Sequence, residues 1–541
     1  MCEISDDVWE TTGFIERLKR ERGLTDDNTC QSWLDPGVFP DALKAAARVH
    51  RAVGARETIA IFGDYDCDGV TSTAQMVRFF RRHGTEPLVR LPHRVHDGYG
   101  LKKKHIDECH AAGVTLLITV DTGINAHDAI MHARTLGMDI IVLDHHHFAS
   151  VPPALAVLHP ALARESFFAK AAPAAAGVVW HFLHTLESRP WADRDIDAAL
   201  AMIGTVADLV PLKGYNRRLV QEGLHALANL HETPLAELAQ HIGSGTQLRS
   251  TDIAFRLAPR INAAGRMRDP LLALTALLEG GEHLRELEHL NTLRQEETRT
   301  SFDHALAAIE ASPLQPFLAV ADPSYSPGII GLIAGKLTER FGRPSMAVHI
   351  AGTTCTGSIR SPAAYDLRAA LDRIRPLCES VGGHRHAAGC TFALDNYFAI
   401  TDLLCRDVEE NVSGDMLLPA LRIDATIDAA NITSTLVAQL QELEPYGQGN
   451  PEPLFLVKNI MLDSIRTVGS DHQHVQAIVG NVKIIGFHLG HLAMDAKKPI
   501  DLVCRLGLST WNGRTQPQLF VQDLRFSLTP ARAVLPYQTP G

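Results

Sequence analysis

Ile59-Ala60-Ile61-Phe62-Gly63-Asp64-Tyr65-Asp66-Cys67-Asp68-Gly69 joins a short apolar run to three carboxylates at alternate positions. The run has the length and composition of a strand covered on both faces. In extended backbone every second side chain points the same way, so Asp64, Asp66 and Asp68 can share one side, and Gly63 and Gly69 permit tight turns around them. The same construction recurs twice. Leu116-Leu117-Ile118-Thr119-Val120 runs into Asp121-Thr122-Gly123, and Ile140-Ile141-Val142-Leu143 runs into Asp144-His145-His146. Between these runs, Val70–His83 has helical spacing with arginines near its end and closes at Gly84, and a second such helix, Ala126–Leu136, stops at Gly137. Strand, helix, strand, helix, strand predicts βαβ units and a parallel sheet. Ligands bind outside the carboxyl ends of the strands in such sheets, so the aspartates should converge on one crevice. Crowded carboxylates repel unless cations sit between them, and aspartates with a histidine suit hard divalent ions such as Mg²⁺ or Mn²⁺.

Each motif also has a blander reading. Asp64–Gly69 matches D-x-D-x-D-G, the start of a calcium loop, but that loop needs a bidentate Glu at its twelfth position. Here the position is Gln75, and a strand replaces the preceding helix. Asp121-Thr122-Gly123 could be a turn, a helix N-cap or a protease-like motif; the last belongs to an all-β fold with two such segments. Asp208, after the buried helical pattern Ile196–Ala207 and before Leu209-Val210-Pro211, could be a simple helix-end turn. His147 extends the histidine run, which alone could be a surface cluster, but a buried strand precedes it.

The chain has 541 residues, 45% of them hydrophobic and 21% charged, which suits a globular protein of roughly three or more domains. No run of about 18 apolar residues and no basic-apolar leader is present, so neither a membrane nor export is expected and the cytoplasm is the default. Nine cysteines form no C-x-x-C pair and read as reduced thiols. A net charge of -11 excludes bulk attraction to nucleic acid, so any such binding must be local. From Glu282 to about Glu310 the sequence is polar, with leucines at 284, 287, 290 and 293, and predicts a long helix bridging two domains. A second α/β region follows, from Phe317-Leu318-Ala319-Val320 to Gly382-Gly383-His384. From about Pro419, short alternating segments such as Val475–Val479, Ile484–Phe487 and Leu519–Val521 predict a small β domain with the pattern of a barrel.

Asp64–Gly69, Val120-Asp121, Asp144-His145-His146 and Asp208 together resemble motifs I to IV of the DHH phosphoesterase superfamily. Within it the chain resembles the RecJ single-strand-specific exonucleases along nearly its whole length. The supporting stretches are His93-Arg94, Gly98–Leu101, Gly204–Leu212, Ala258–Met267, Gly357–Ser361, Gly382–Gly389 and Glu444–Pro451. The resemblance implies a helical extension over 1–50, a parallel-sheet DHH catalytic domain over 51–280, a linker helix over 281–312, a second α/β domain (DHHA1) over 313–418 and an OB-like domain over 419–541. It implies Asp64, Asp66, Asp68, Asp121, His145 and Asp208 as ligands of two divalent ions, Mn²⁺ or Mg²⁺. His146 joins the catalytic set in support, and Asp144 holds its neighbouring histidines. Some superfamily members carry a histidine where this chain has Phe62, and a histidine usually precedes the position of Gly328, where this chain has Tyr325-Ser326-Pro327. Arg260, Arg266, Ser358, Arg360, Ser361, Gly383 and His384 are the implied substrate contacts. In the OB-like domain Phe455, Phe487, Trp511 and Phe520 are available for base stacking, although core packing is the ordinary role of most of them and basic residues are not in excess there.

The implied activity is 5′-to-3′ hydrolysis of single-stranded DNA to mononucleotides in repair and recombination, with a single-strand-binding protein and a RecQ-type helicase as collaborators. Two alternatives remain: a phosphodiesterase of short oligonucleotides or cyclic dinucleotides, which generally lacks a C-terminal β domain, and an inactive DNA-binding scaffold, which would lack motif aspartates.

Overall fold

The computed structural model describes residues 11–24, 33–94, 96–98, 100–164, 167–168, 170–187, 193–242, 248–412, 421–462, 464–469, 472–480, 482–487, 489–490, 499–511 and 514–527, with the side chains of 11–12, 510–511 and 514 excepted. Cys2, Cys30, Tyr99 and the side chain of Trp511 thus lie outside the described residues. The chain forms two compact units, residues 27–417 and residues 1–26 with 418–541.

In the larger unit, β1 (Ile59–Phe62), β2 (Leu88–Arg90), β3 (Leu116–Val120), β4 (Asp139–Leu143) and β5 (Ala156–Leu158) form an all-parallel sheet in the order β2-β1-β3-β4-β5. Ile59 and Ile61 enter one apolar core with Met76, Phe79 and Val178, while Ala60 and Phe62 enter another with Ile106 and Ile130. Coverage of both faces explains why β1 and most of β4 read as unbroken apolar runs and β3 is interrupted only by the buried Thr119. The strand order reverses between β1 and β3, and Asp64 and Asp121 follow those two strands. A parallel sheet opens its ligand crevice at this switch point.

The helices Cys67–Arg82, Arg194–Ala207 and Ala258–Met267 pack on one further apolar core, which also receives Leu284 and Leu287 from the 29-residue helix Glu282–Glu310. At about 1.5 Å per residue that helix spans about 43 Å. Its far end places Ala305 in a different core, with Tyr325, Ile330 and Ile333. The helix therefore bridges two cores within the unit. Leu293 is exposed and Asn291 buried, because a strict three-residue leucine spacing drifts off a face that repeats every 3.6 residues.

Beyond the helix, β6 (Leu318–Asp322) pairs in parallel with β7 (Ser345–Ala351) across the helix Ile330–Phe341. Antiparallel β8 (Thr354–Arg360), β10 (Ala387–Ala393) and β9 (Ser380–Gly383) complete the order β6-β7-β8-β10-β9. Along β8, Ile359 is buried and Ser358 and Arg360 are half-buried, so the two polar side chains share the face opposite the core.

In the smaller unit, β11 (Ala425–Thr426), β12 (Phe455–Ile460), β13 (Ser464–Val468), β14 (His474–Val479), β15 (Val482–Gly486), β16 (Ile500–Trp511) and β17 (Arg514–Phe526) form a mostly antiparallel sheet in the order β11-β12-β16-β17-β15-β14-β13. The helix Thr11–Glu21 closes its core with Phe14, Ile15 and Leu18. Arg22 donates to Asn450 Oδ1 at 3.0 Å and to Asp424 Oδ1 at 2.8 Å. Asn450 in turn donates to the carbonyls of Leu443 and Pro445, which assigns Glu444–Pro451 a structural task as the buckle for Arg22. The other helix near the N-terminus, Ala42–Gly54, packs on the parallel sheet instead.

Candidate metal and phosphate centre

The backbone that follows β1 turns at once into the helix Cys67–Arg82. Asp66 is the N-cap, its Oδ1 accepting from the amides of Asp68 at 3.0 Å and Gly69 at 3.1 Å. The first-turn amide of Cys67, which no intrahelical carbonyl can reach, donates to Asn262 Oδ1 at 3.0 Å. Gly69 is required sterically, since a Cβ there would lie 2.5 Å from the Asp64 carbonyl oxygen. Gly204 is a second such position: its Cβ would meet Asp68 Oδ1 at 2.8 Å. Asp68 accepts the amides of Ala175 and Ala176 at 2.8 Å each, which ties motif I to the start of the helix Ala175–Leu186.

The remaining acidic groups converge on this loop. Asp121 is held at φ 60° directly after β3. His145 Nε2 lies 3.3 Å from Asp121 Oδ1 and 3.8 Å from Asp68 Oδ2, and its Nδ1 lies 3.7 Å from Asp208 Oδ2. Asp208 itself caps the end of the helix Arg194–Ala207. Among the described residues, three groups have donor atoms close enough to hold a metal ion: Asp64, Asp66 and Asp121; Asp68, His145 and Asp208; and Asp121, His145 and His146. Asp121 and His145 each belong to two of them, which is the arrangement that neighbouring cations would share.

Asp144 performs a different task. It is fully buried, its Oδ1 accepts from the amide and ring Nδ1 of His146 and from the amide of His145, and its Oδ2 accepts from Ile124. The aspartate thus orients both histidines, His145 through its amide and His146 through its amide and Nδ1.

Protonation behaviour separates these groups. Burial, with repulsion from Asp66, raises Asp68 to about 7. Burial also pushes Asp64, Asp121 and Asp208 well above the usual carboxylate range, reinforced by neighbouring carboxylates. Asp64 Oδ1, Asp121 Oδ1 and His145 Nε2 are buried without a hydrogen-bond partner. Burial lowers His145 to about 4, so at neutral pH it is an uncharged imidazole able to donate a lone pair. Burial opposes a charge on His146 too, but its bond to Asp144 prevails and raises it to about 9. For Asp144, burial is outweighed by His146 and the backbone amides, and the carboxylate stays below its ordinary value. Uncompensated buried oxygens beside a neutral imidazole fit divalent cations well, since cations supply the missing partners and remove the repulsion.

Opposite in charge is a set of guanidiniums contributed by both α/β halves of this unit. Arg266 is half-buried and donates to the Gly328 carbonyl at 3.2 Å. Burial and the nearby charges of Arg94, Arg294 and Arg360 pull it down to about 9. Arg360 is lowered by burial and by Arg94, and it donates to Ser358 Oγ at 2.9 Å. The Nε atoms of Arg94 and Arg294 are buried without partners. No carboxylate stands within ion-pairing distance of Arg94, Arg266, Arg294 or Arg360 among the described residues. A planar guanidinium set of this kind is suited to a phosphate.

The other expected substrate contacts fare differently. Arg260 is committed to Glu288 of the long helix, at 2.6 and 3.1 Å. Ser361 donates to the Tyr365 carbonyl at 2.6 Å and closes its own loop. Gly383 permits close pairing of β9 with β10, where a Cβ would lie 2.5 Å from the Ala387 carbonyl oxygen. His384 stands across from the histidine run, its ring 6.1 Å from that of His147. Phe62 is buried against the His105 ring and offers no ligand atom. In Tyr325–Gly328, the tyrosine is buried and Gly328 receives Arg266. Arg94 and Asn262 are additions to the expected site. Both lie in stretches that carry the family resemblance, which was the available signal.

A carboxylate–imidazole cluster at the switch point of a parallel sheet, accompanied by guanidiniums drawn from both α/β halves, defines a DHH-class phosphoesterase. In agreement, residues 58–210 match the DHH family N-terminal domain, residues 314–410 the DHHA1 domain and residues 423–523 the RecJ OB domain. The chain belongs to the RecJ family. It is 33% identical to the single-stranded-DNA-specific exonuclease RecJ of Escherichia coli, covering 96% of this chain and 97% of that protein. It is 32% identical to the Bacillus subtilis RecJ over 91% of this chain, and spans 64% of that relative's length. The crystal structure of Thermus thermophilus RecJ in complex with Mn²⁺ is similar with a TM-score of 0.80, at 29% identity over 96% of this chain and 78% of that one. The Mg²⁺ complex of the same protein gives 0.74, at 27% identity over 96% and 76%.

Proposed function

We propose that this chain is a single-stranded-DNA-specific exonuclease that hydrolyses terminal phosphodiesters with 5′-to-3′ polarity and releases mononucleotides. The observation that carries the reading is the pairing of a largely buried carboxylate cluster with a half-buried guanidinium set that no described carboxylate neutralises. Asp64, Asp66, Asp68, Asp121, His145 and Asp208 would hold two divalent ions, Mn²⁺ or Mg²⁺. Bound ions would activate water and stabilise charge on the attacking and leaving oxygens. Arg94, Arg266 and Arg360, with Ser358, would receive a phosphate of the strand and so align its backbone with the carboxylates. His146, protonated and fixed by Asp144, would donate to a phosphate oxygen or to the leaving oxygen. The intact motif aspartates count against a scaffold without activity, and the OB domain counts against a dinucleotide phosphodiesterase.

A single-strand-binding protein and a RecQ-type helicase, both in the cytoplasm, would supply the strand from duplex. No described helix is long and apolar enough to cross a membrane. The test uses 5′-labelled and 3′-labelled single strands, duplex and a cyclic dinucleotide, with Mn²⁺ or Mg²⁺. Mononucleotide release from the 5′ end of single strands is expected, with duplex spared. Preferential dinucleotide cleavage, or activity persisting in Asp121→Ala, would overturn the assignment.

A further inference from the structure

Tyr65 lies between two aspartates of motif I, yet its side chain is turned to an arginine. The Arg94 guanidinium carbon lies 4.2 Å from the centroid of the Tyr65 ring. The Tyr65 carbonyl approaches Gly265 so closely that a Cβ there would stand 2.7 Å from it. The loop is thus backed by the helix Ala258–Met267, the same helix that carries Asn262 and Arg266. Arg94 Nε is buried without a partner, and the charges that surround Arg94 include Arg266 and Arg360.

An arginine can be fixed in two ways. Arg260 shows the first: Glu288 grips it at two points and neutralises it. A guanidinium fixed so has neither charge nor N–H edge to offer a ligand. An aromatic ring grips the face instead and leaves the in-plane N–H donors and the full charge available. Next to an acidic centre a carboxylate partner would also add to the repulsion already present, whereas a tyrosine adds none.

We propose that Tyr65 is a positioning residue which stacks Arg94 and thereby sets the enzyme's preference for a strand carrying a terminal phosphate. This rests on the reading of the arginine set as a phosphate seat. The tyrosine offers neither carboxylate nor imidazole to the cation site and its ring is engaged by Arg94, so its removal acts on the recognition of the end.

The experiment compares wild type with Tyr65→Leu, Tyr65→Phe, Arg94→Ala and Arg94→Lys on single strands bearing a 5′-phosphate, a 3′-phosphate or hydroxyls at both ends. KM and kcat are measured separately, and Mn²⁺ binding is followed by calorimetry. Tyr65→Leu should lose about tenfold in preference for the phosphate-bearing end, the size of a desolvated stacking contact, chiefly through KM. Tyr65→Phe should keep the preference, and combining Tyr65→Leu with Arg94→Ala should lose no more than Arg94→Ala alone. The 5′ and 3′ arms identify the end that is read. If Arg94→Ala loses the preference and Tyr65→Leu keeps it, the inference fails while the phosphate seat stands. If Arg94→Ala keeps it, the phosphate seat itself is wrong. Should Tyr65→Leu not bind Mn²⁺, Arg94→Lys decides: a lysine cannot stack as a plane, so retained preference overturns the inference and its loss supports it.

Discussion

The acidic cluster of this enzyme is largely buried and the basic one half-buried, and the protein builds them differently. Around the acidic one, support is dense: Asp66 caps its own helix, Asp68 takes two amides from the start of the helix Ala175–Leu186 and Asp144 holds two histidines. Around the basic one, support is sparse, with single contacts to the Tyr65 ring, the Gly328 carbonyl and Ser358. Cation ligands must be placed to fractions of an ångström, whereas an arginine recognises a phosphate through several donors and tolerates more adjustment. The acidic cluster therefore resembles a mould, and the basic one a receptor.

Breaking the mould should have the largest effect. Asp121→Ala removes a group shared by two of the three donor sets, and kcat/KM should fall by on the order of 10³-fold or more, as for catalytic groups that act as a unit. The variant without metal should melt no lower than wild type, because a repelled buried carboxylate has been deleted; a large drop in Tm would show that Asp121 is structural. Arg266→Ala should reduce kcat/KM by about 10- to 100-fold through KM, the range for hydrogen bonds to a charged group. An Arg266 variant with unchanged KM would remove the receptor reading.

Proton competition comes next. Asp68 is raised to about 7 in the absence of metal. Below that value it holds a proton that a cation must displace, and above it the carboxylate is free. Mn²⁺ affinity should therefore rise with pH toward 7 and level off beyond it, with at least about a tenfold loss per unit of acidification on the low side. Calorimetry in buffers of different ionisation enthalpy would count the released protons; none released near pH 6 would contradict the raised Asp68.

The contrast also explains what could be read from the sequence. The mould was legible because its parts are adjacent to strands: an apolar run ending in Asp needs no distant partner to be recognised, and β1, β3 and β4 end where the expected strands do. The long helix was equally plain from its uninterrupted polar run. Arg94 and Asn262 were missed because their roles arise from contacts across the chain, Asn262 reaching Cys67 from 195 positions away. The union of the helix Thr11–Glu21 with the C-terminal β domain was illegible for the same reason: Arg22 meets Asp424 and Asn450 at separations of 402 and 428 residues. No periodicity announces such a partner.

The smallest effect is expected where a sequence expectation and the geometry diverge most. Arg260 and Arg266 lie on one helix and both were expected to bind substrate, but the first is paired with a carboxylate and the second is not. The Arg260–Glu288 pair is partly exposed, at 16% and 39% of the side-chain surface, so solvent screens it and its coupling should be about 0.5–1 kcal/mol. A double-mutant cycle of Arg260→Ala and Glu288→Ala, read by thermal or urea unfolding, should return that value with KM changed less than about twofold. Glu288→Ala alone adds the sharper contrast: it releases Arg260 beside Arg294, whose guanidinium is already disfavoured by burial and by the Arg260 charge. With its counterion gone, the helix bears an additional unbalanced cation, and strand binding should tighten slightly at low salt. If Arg260→Ala instead raises KM as much as Arg266→Ala does, pairing with Glu288 does not withdraw an arginine from the substrate, and the distinction between a neutralised and a stacked guanidinium loses its basis.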